Sequence, residues 1–149
     1  MARSEVSYTY DADTAFRAPG SAPITASGEI GTFTLDKMVN ARSGDQKNKL
    51  GAEFYDVVIT VEASDAGEAD EVYTFDVEVQ GAGGANAVVA GALATPRGVP
   101  GQYVIKLDGH TLEKLSGSAD RVELALNLTV AGTTPSITFG AWVAYGAGL

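Results

Sequence analysis

The sequence predicts an all-β fold: a two-sheet antiparallel β-sandwich with Greek-key or jelly-roll connections and an extended N-terminal arm. Three observations lead there. Apolar residues alternate with polar ones over most of the chain, which is the period of a half-buried strand. Clusters of Gly, Pro, Asp and Asn separate these segments, and helical spacing is nearly absent. With 149 residues, 45% of them apolar, the chain buries about two thirds of its unfolded surface by size scaling, enough for one core.

Residues 1–23 are expected to form the arm, because Val6, Tyr8, Tyr10 and Phe16 are scattered ahead of APGSAP, whose Pro19 and Pro23 disfavour ladder pairing. Residues 24–149 are expected to form the sandwich. Its first strand is GEIGTFTL, with Ile30, Phe33 and Leu35 as the apolar set. A helical turn around Asp36 to Ala41 and a long excursion to Glu53 follow.

YDVVITVEA directs Tyr55, Val57, Ile59, Val61 and Ala63 inward, and EVYTFDVEV does the same with Tyr73, Phe75, Val77 and Val79. The acidic link SDAGEADE between them predicts a hairpin. Gly81 to Ala87 reads as a loop tip, and a short strand is expected near Ala87 to Leu93. GQYVIKL is a strand with Tyr103, Ile105 and Leu107 on one face, followed by a helical turn at His110 to Leu115. RVELALNLTV alternates without a break, Val122, Leu124, Leu126, Leu128 and Val130 facing one way. SITFGAWVAY is the last strand, with Ile137, Phe139, Ala141, Val143 and Tyr145 inward. Long excursions in place of tight turns favour Greek-key or jelly-roll connections over a meander.

Composition excludes several chemistries. Cysteine is absent, which removes disulfides, thiol nucleophiles and thiolate metal sites. A net charge of −9 opposes binding to nucleic acid, whose affinity rests on clustered Lys and Arg. No apolar run has the ~20 residues of a membrane helix, and MARSEVSYTYDADT lacks the basic-then-apolar order of a secretory signal, so neither membrane nor export is expected.

Catalytic and metal-binding candidates are few. The single histidine, His110, sits in DGHT, where turn chemistry accounts for it, and no G-x-S-x-G elbow accompanies it. Asp65, Glu68, Asp70 and Glu71 are the one group suited to a hard cation, although they lack the EF-hand order, and a solvated loop tip explains them as well. Asp56, Glu62, Asp76, Glu78 and Glu123 fall on the solvent phase of their strands, against a buried acid pair. Gly81 to Asn86 has no P-loop ending, and Asn127-Leu128-Thr129 matches a glycosylation sequon in mid-strand. Trp142 lies on the outer phase of its strand, either covered by a loop or serving as an interface anchor. No catalytic residue, cofactor or metal is therefore expected.

The order of segments in the C-terminal half, DEVYTFDVEV, GQYVIKL, RVELALNLTV and GTTPSITFGAWVAYG, resembles that of the small cement or decoration proteins on tailed-bacteriophage capsids. In those proteins a long alternating strand enters a V-x-G-T-[ST]-P-S turn and an aromatic-rich final strand, as Val130 to Ser136 does here. The similarity runs from about Ile24 to Tyr145 and is weaker in the arm and in Val39 to Glu53. It implies a jelly-roll virion protein, not an enzyme, that binds the outer capsid surface and clamps major capsid protein subunits, as a homodimer or homotrimer.

The acidic charge suits the outside of a DNA-filled shell. Interface candidates are Arg3, Tyr8, Tyr10, Phe16 and Arg17 in the arm, Arg42, Lys47 and Lys49 in the insert, and Trp142. Competing readings are a carbohydrate- or cell-surface-binding sandwich and another head or tail subunit.

Overall fold

A computed structural model describes residues 10–36, 54–80, 88–116 and 121–145. A 3-10 turn, Ala12–Thr14, leads into strand β1 (Ala15–Arg17). Then come β2 (Gly28–Asp36), β3 (Phe54–Ser64), β4 (Val72–Gln80), β5 (Val88–Thr95) and β6 (Gly101–Asp108). Helix α1 (Gly109–Ser116), β7 (Arg121–Ala131) and β8 (Ile137–Tyr145) complete the described chain. The strands form two four-stranded antiparallel sheets, one ordered β1-β8-β3-β6 and the other β2-β7-β4-β5. The all-β sandwich expected from the alternation is what the chain adopts.

The pairing has a simple logic. β1 pairs with β8, β2 with β7, β3 with β6 and β4 with β5, so the chain is folded back on itself as one long double ribbon. Rolling that ribbon places β3 beside β8 and β4 beside β7, which makes the two sheets. The alternating residues then fill the space between them. Tyr55, Val57 and Ile59 from one sheet and Tyr73, Phe75, Val77, Leu124 and Leu126 from the other are fully buried. Phe75 meets Phe139 edge to face across the gap, ring centroids 4.9 Å apart.

Where the sheet margins converge, small residues permit close approach. A Cβ on Gly31 of β2 would lie 2.6 Å from the Phe16 carbonyl oxygen of β1, and one on Gly91 of β5 would lie 2.7 Å from Ile105 Cγ2 of β6.

Two sequence expectations are corrected. β3 and β4 are not a hairpin: they lie in different sheets, and Asp65 to Glu71 arches between them. A hairpin uses a two- to five-residue turn, whereas crossing between packed sheets must span about 10 Å, for which the longer link is suited. Ala63 is exposed rather than inward, because the ladder with β8 shifts register between Val61 and Ala63. A similar shift between Glu29 and Gly31 explains the three-residue spacing of Ile30 and Phe33.

The expected short strand near Ala87 to Leu93 is β5, and the expected turn at His110 to Leu115 is α1, whose Leu112 is buried and whose Leu115 packs on the core. The proposed turn at Asp36 to Ala41 begins on the last residue of β2 and otherwise lies outside the described residues, as does the Gly81 to Ala87 loop.

Candidate functional site

Two places concentrate the chemistry that the sequence singled out. The first is the acidic arch between β3 and β4, which meets the turn between β7 and β8. Asp65 N donates to the Ser136 carbonyl at 2.8 Å, and Tyr73 Oη donates toward the carbonyls of Asp65 at 2.9 Å and Ser136 at 3.0 Å. Asp70 accepts from Thr133 N at 3.1 Å and from Thr133 Oγ1 at 3.0 Å, while Thr134 Oγ1 donates to Glu68 Oε2 at 3.3 Å.

Contact is so close that Gly132, at φ +104°, admits no side chain: a Cβ there would stand 2.7 Å from the Asp70 carbonyl oxygen. Ala69 and Thr134 also take left-handed backbone, at φ 62° and 49°. The glycine and threonines of the V-x-G-T-T-P-S segment thus have a local task, joining the last crossover to the acidic arch.

Within the arch, carboxylate oxygens of Asp65, Glu68 and Glu71 lie within 4.8 Å of one another. Glu71, expected in a solvated loop, is instead buried at 1% exposure, where the arch meets the β7–β8 turn and Gly132 stands against its backbone. Its Oε1 accepts from Glu68 N at 3.1 Å, and its Oε2 has no hydrogen-bond partner among the described residues. The hydrogen bond with the Glu71 side chain raises the Glu68 carboxyl above its ordinary range. Asp70 is lowered instead, chiefly by the backbone and side-chain hydrogen bonds from Thr133. An open groove of about 360 Å³ runs beside Asp65, lined also by Ala63, Ser64, Ser136 and Thr138.

The second place is the outer face of the β1-β8-β3-β6 sheet, where the described part of the expected arm lies. Residues 10–23 follow the sandwich closely. Thr14 Oγ1 donates to the Val143 carbonyl at 2.7 Å, β1 pairs with β8, and Pro19 covers Gly140. Gly20 N donates to Glu62 Oε1 at 2.9 Å. The interface candidates separate accordingly. Phe16 is in the core and meets Phe33, so its ring is enclosed by the chain's own sheets. Arg17 is half-buried, its Nε donating to the Phe139 carbonyl at 3.1 Å and its guanidinium also reaching the Ala22 carbonyl.

Trp142 is outward in phase yet only 3% exposed, with Tyr10 against it, which selects the covered alternative. Tyr10 itself is 36% exposed. Arg3, Tyr8, Arg42, Lys47 and Lys49 lie outside the described residues.

Asp56 is a further correction. Its solvent phase predicted exposure, but it is 1% exposed, with Lys106 Nζ at 3.9 Å. Glu62 and Glu123 are exposed, and Asp76 and Glu78 half-buried, Asp76 accepting from Asn127 Nδ2 at 3.2 Å. Sequence reasoning also passed over Val88 and Val89, successive valines that are 44% and 53% exposed at the start of edge strand β5. The signal was present: an unalternated Val pair directly after the Gly-rich stretch. Among the described residues no helix is long and apolar enough to cross a membrane. No protein-family profile and no curated protein matches the chain.

Proposed function

We propose that this protein is a non-enzymatic virion structural protein that binds the outer capsid surface of a tailed bacteriophage and cements adjacent major capsid protein subunits. The observation that carries the reading is the order of segments from β4 to β8, with the V-x-G-T-T-P-S turn as the crossover from β7 to β8. The double-ribbon pairing, β1 with β8 through β4 with β5, supports a jelly-roll interpretation of the sandwich. Mechanically, many symmetric copies bridging capsomers add contacts that must be broken before the shell ruptures.

Contacts are assigned to Arg3, Tyr8 and Tyr10, to Arg42, Lys47 and Lys49, and to the exposed Val88 and Val89. Phe16 and Trp142 are left out because both are buried. Burial of Trp142, the chain's single tryptophan, also takes from the carbohydrate reading the aromatic platform it needed. The test is co-sedimentation of the purified protein with expanded heads built from the major capsid protein encoded in the same genome. Saturable binding with a raised head-disruption temperature is expected; absence of binding overturns the reading.

A further inference from the structure

We propose that Asp65, Glu68 and Glu71 form a calcium site that locks the β3–β4 arch onto the β7–β8 turn. The three carboxylates converge from the seven residues Asp65 to Glu71, with one oxygen of each within 4.8 Å of the others. Calcium holds oxygen ligands at 2.3–2.6 Å, so two oxygens that share one ion stand at most roughly 4.6–5.2 Å apart. Three carboxylate oxygens no more than 4.8 Å apart lie within that limit. Magnesium, which demands near-octahedral geometry at about 2.0–2.1 Å and gives up its waters reluctantly, is the less suited ion for carboxylates carried on a loop.

A second observation points the same way. Glu71 is 1% exposed, yet its Oε2 has no hydrogen-bond partner among the described residues, and its carboxylate is directed at those of Asp65 and Glu68. A buried carboxylate oxygen without a donor is unfavourable unless something neutralises it. No Lys or Arg nitrogen among the described residues lies within ion-pair distance of these three groups.

The rest of the arch is arranged to leave oxygens over. Asp65 Oδ1 accepts from Gly67 N, Glu71 Oε1 from Glu68 N and Glu68 Oε2 from Thr134 Oγ1, so one oxygen of each carboxylate is held by the arch or the facing turn, and the second oxygens of Glu68 and Glu71 are left to a proton or a cation between them. The group borders an open groove on its Asp65 side, from which water would supply the remaining ligands of a six- to eight-coordinate ion. A proton shared by Glu68 and Glu71 is the competing way to relieve the crowding, consistent with the raised Glu68 carboxyl.

The cation does more. It ties three points of the arch together, and through the hydrogen bond from Thr134 to Glu68 it secures the turn that leads into β8. The inference stands independently of the capsid reading.

The experiment is a calcium titration of the full chain after chelation at neutral pH, read by calorimetry and thermal unfolding. Saturable heat with a midpoint in the ~0.1–1 mM range is expected, together with a rising melting temperature and a weaker response to magnesium. Glu68→Gln, at an exposed position that folds without difficulty, should weaken the midpoint at least tenfold, and Glu71→Gln should abolish the response. The site is refuted if calcium produces neither heat nor stabilisation, or if sodium chloride at matched ionic strength gives the same shift. It is equally refuted if Glu68→Gln responds as the parent does. Stabilisation by acid alone, with no calcium response, assigns the pair to a shared proton.

Discussion

The Tyr10 ring meets the Trp142 indole edge-on, with centroids 5.5 Å apart and planes at 88°, so the first described residue of the chain covers a side chain of its last strand. This contact, with the Thr14 and Arg17 hydrogen bonds to β8, makes residues 10–17 part of the sandwich.

Truncation is therefore expected to have two thresholds. Deleting residues 1–9, which keeps Tyr10, β1 and Phe16, should retain a cooperative transition and, under the capsid reading, weaken head binding. Deleting residues 1–20 should abolish the cooperative transition or lower it sharply, because it removes β1 and the buried Phe16 ring. Circular dichroism melts of both variants decide the point; equal melting temperatures would show that β1 contributes nothing.

Tyr10→Ala should destabilise the fold by about 1 kcal/mol, the scale of an aromatic pair. Trp142 is the only tryptophan, so its emission reports the event directly: a red shift and easier quenching by acrylamide are expected as water reaches the indole. An unchanged spectrum would mean that other parts of the chain keep Trp142 dry.

In the core, Phe75→Ala should be the most damaging of these substitutions, at about 3–5 kcal/mol, since it removes a fully buried ring and its edge-to-face partner. Phe75→Leu, which keeps most of the volume, should recover more than half of that loss in urea unfolding.

The two close approaches at the sheet margins differ in what a methyl group would strike. Gly31→Ala drives Cβ into the Phe16 backbone, which cannot yield without shifting β1, and a loss of about 1–3 kcal/mol is expected. Gly91→Ala meets side-chain carbons of Ile105 and Leu107, which can adjust, so its melting temperature should fall less. The reverse ranking would contradict the packing described for the β1–β2 margin.

Asp70 makes a prediction in pH. Its carboxyl is held below the ordinary carboxylate range by Thr133, with Arg97 adding a smaller attraction, so the folded state favours the ionised form. The stabilisation is present above the unfolded value of 3.8 and disappears as pH falls through the lower folded value. Asp70→Asn should melt below the parent near neutral pH, and the gap should close on acidification; melts of chelated protein from about pH 2 to 7 measure it. Glu68 acts in the opposite sense, its raised carboxyl favouring the fold at low pH and losing that contribution as pH rises.

Much of this molecule is legible in the amino-acid sequence. The phase of Val122 through Leu128 and of Tyr73 through Val79 follows directly from alternation, because period two commits each side chain to a face. The acidic group Asp65, Glu68 and Glu71 was also visible as a group. What local pattern could not supply was its depth. A glutamate in a loop looks solvated until the turn that packs over it, here the β7–β8 turn at Gly132, is known.

The same division runs through the whole chain. Sequence by itself determined that the protein is built from alternating strands around a single apolar core, because side-chain direction and hydrophobic period are local properties. Tertiary structure alone decided that β3 pairs with β6 and β8 rather than with β4, that Trp142 and Asp56 are covered on an outward phase, and that Gly132 must remain a glycine. Each of these depends on a partner distant along the chain, such as Tyr10 for Trp142 or Asp70 for Gly132, whose arrival no periodicity records.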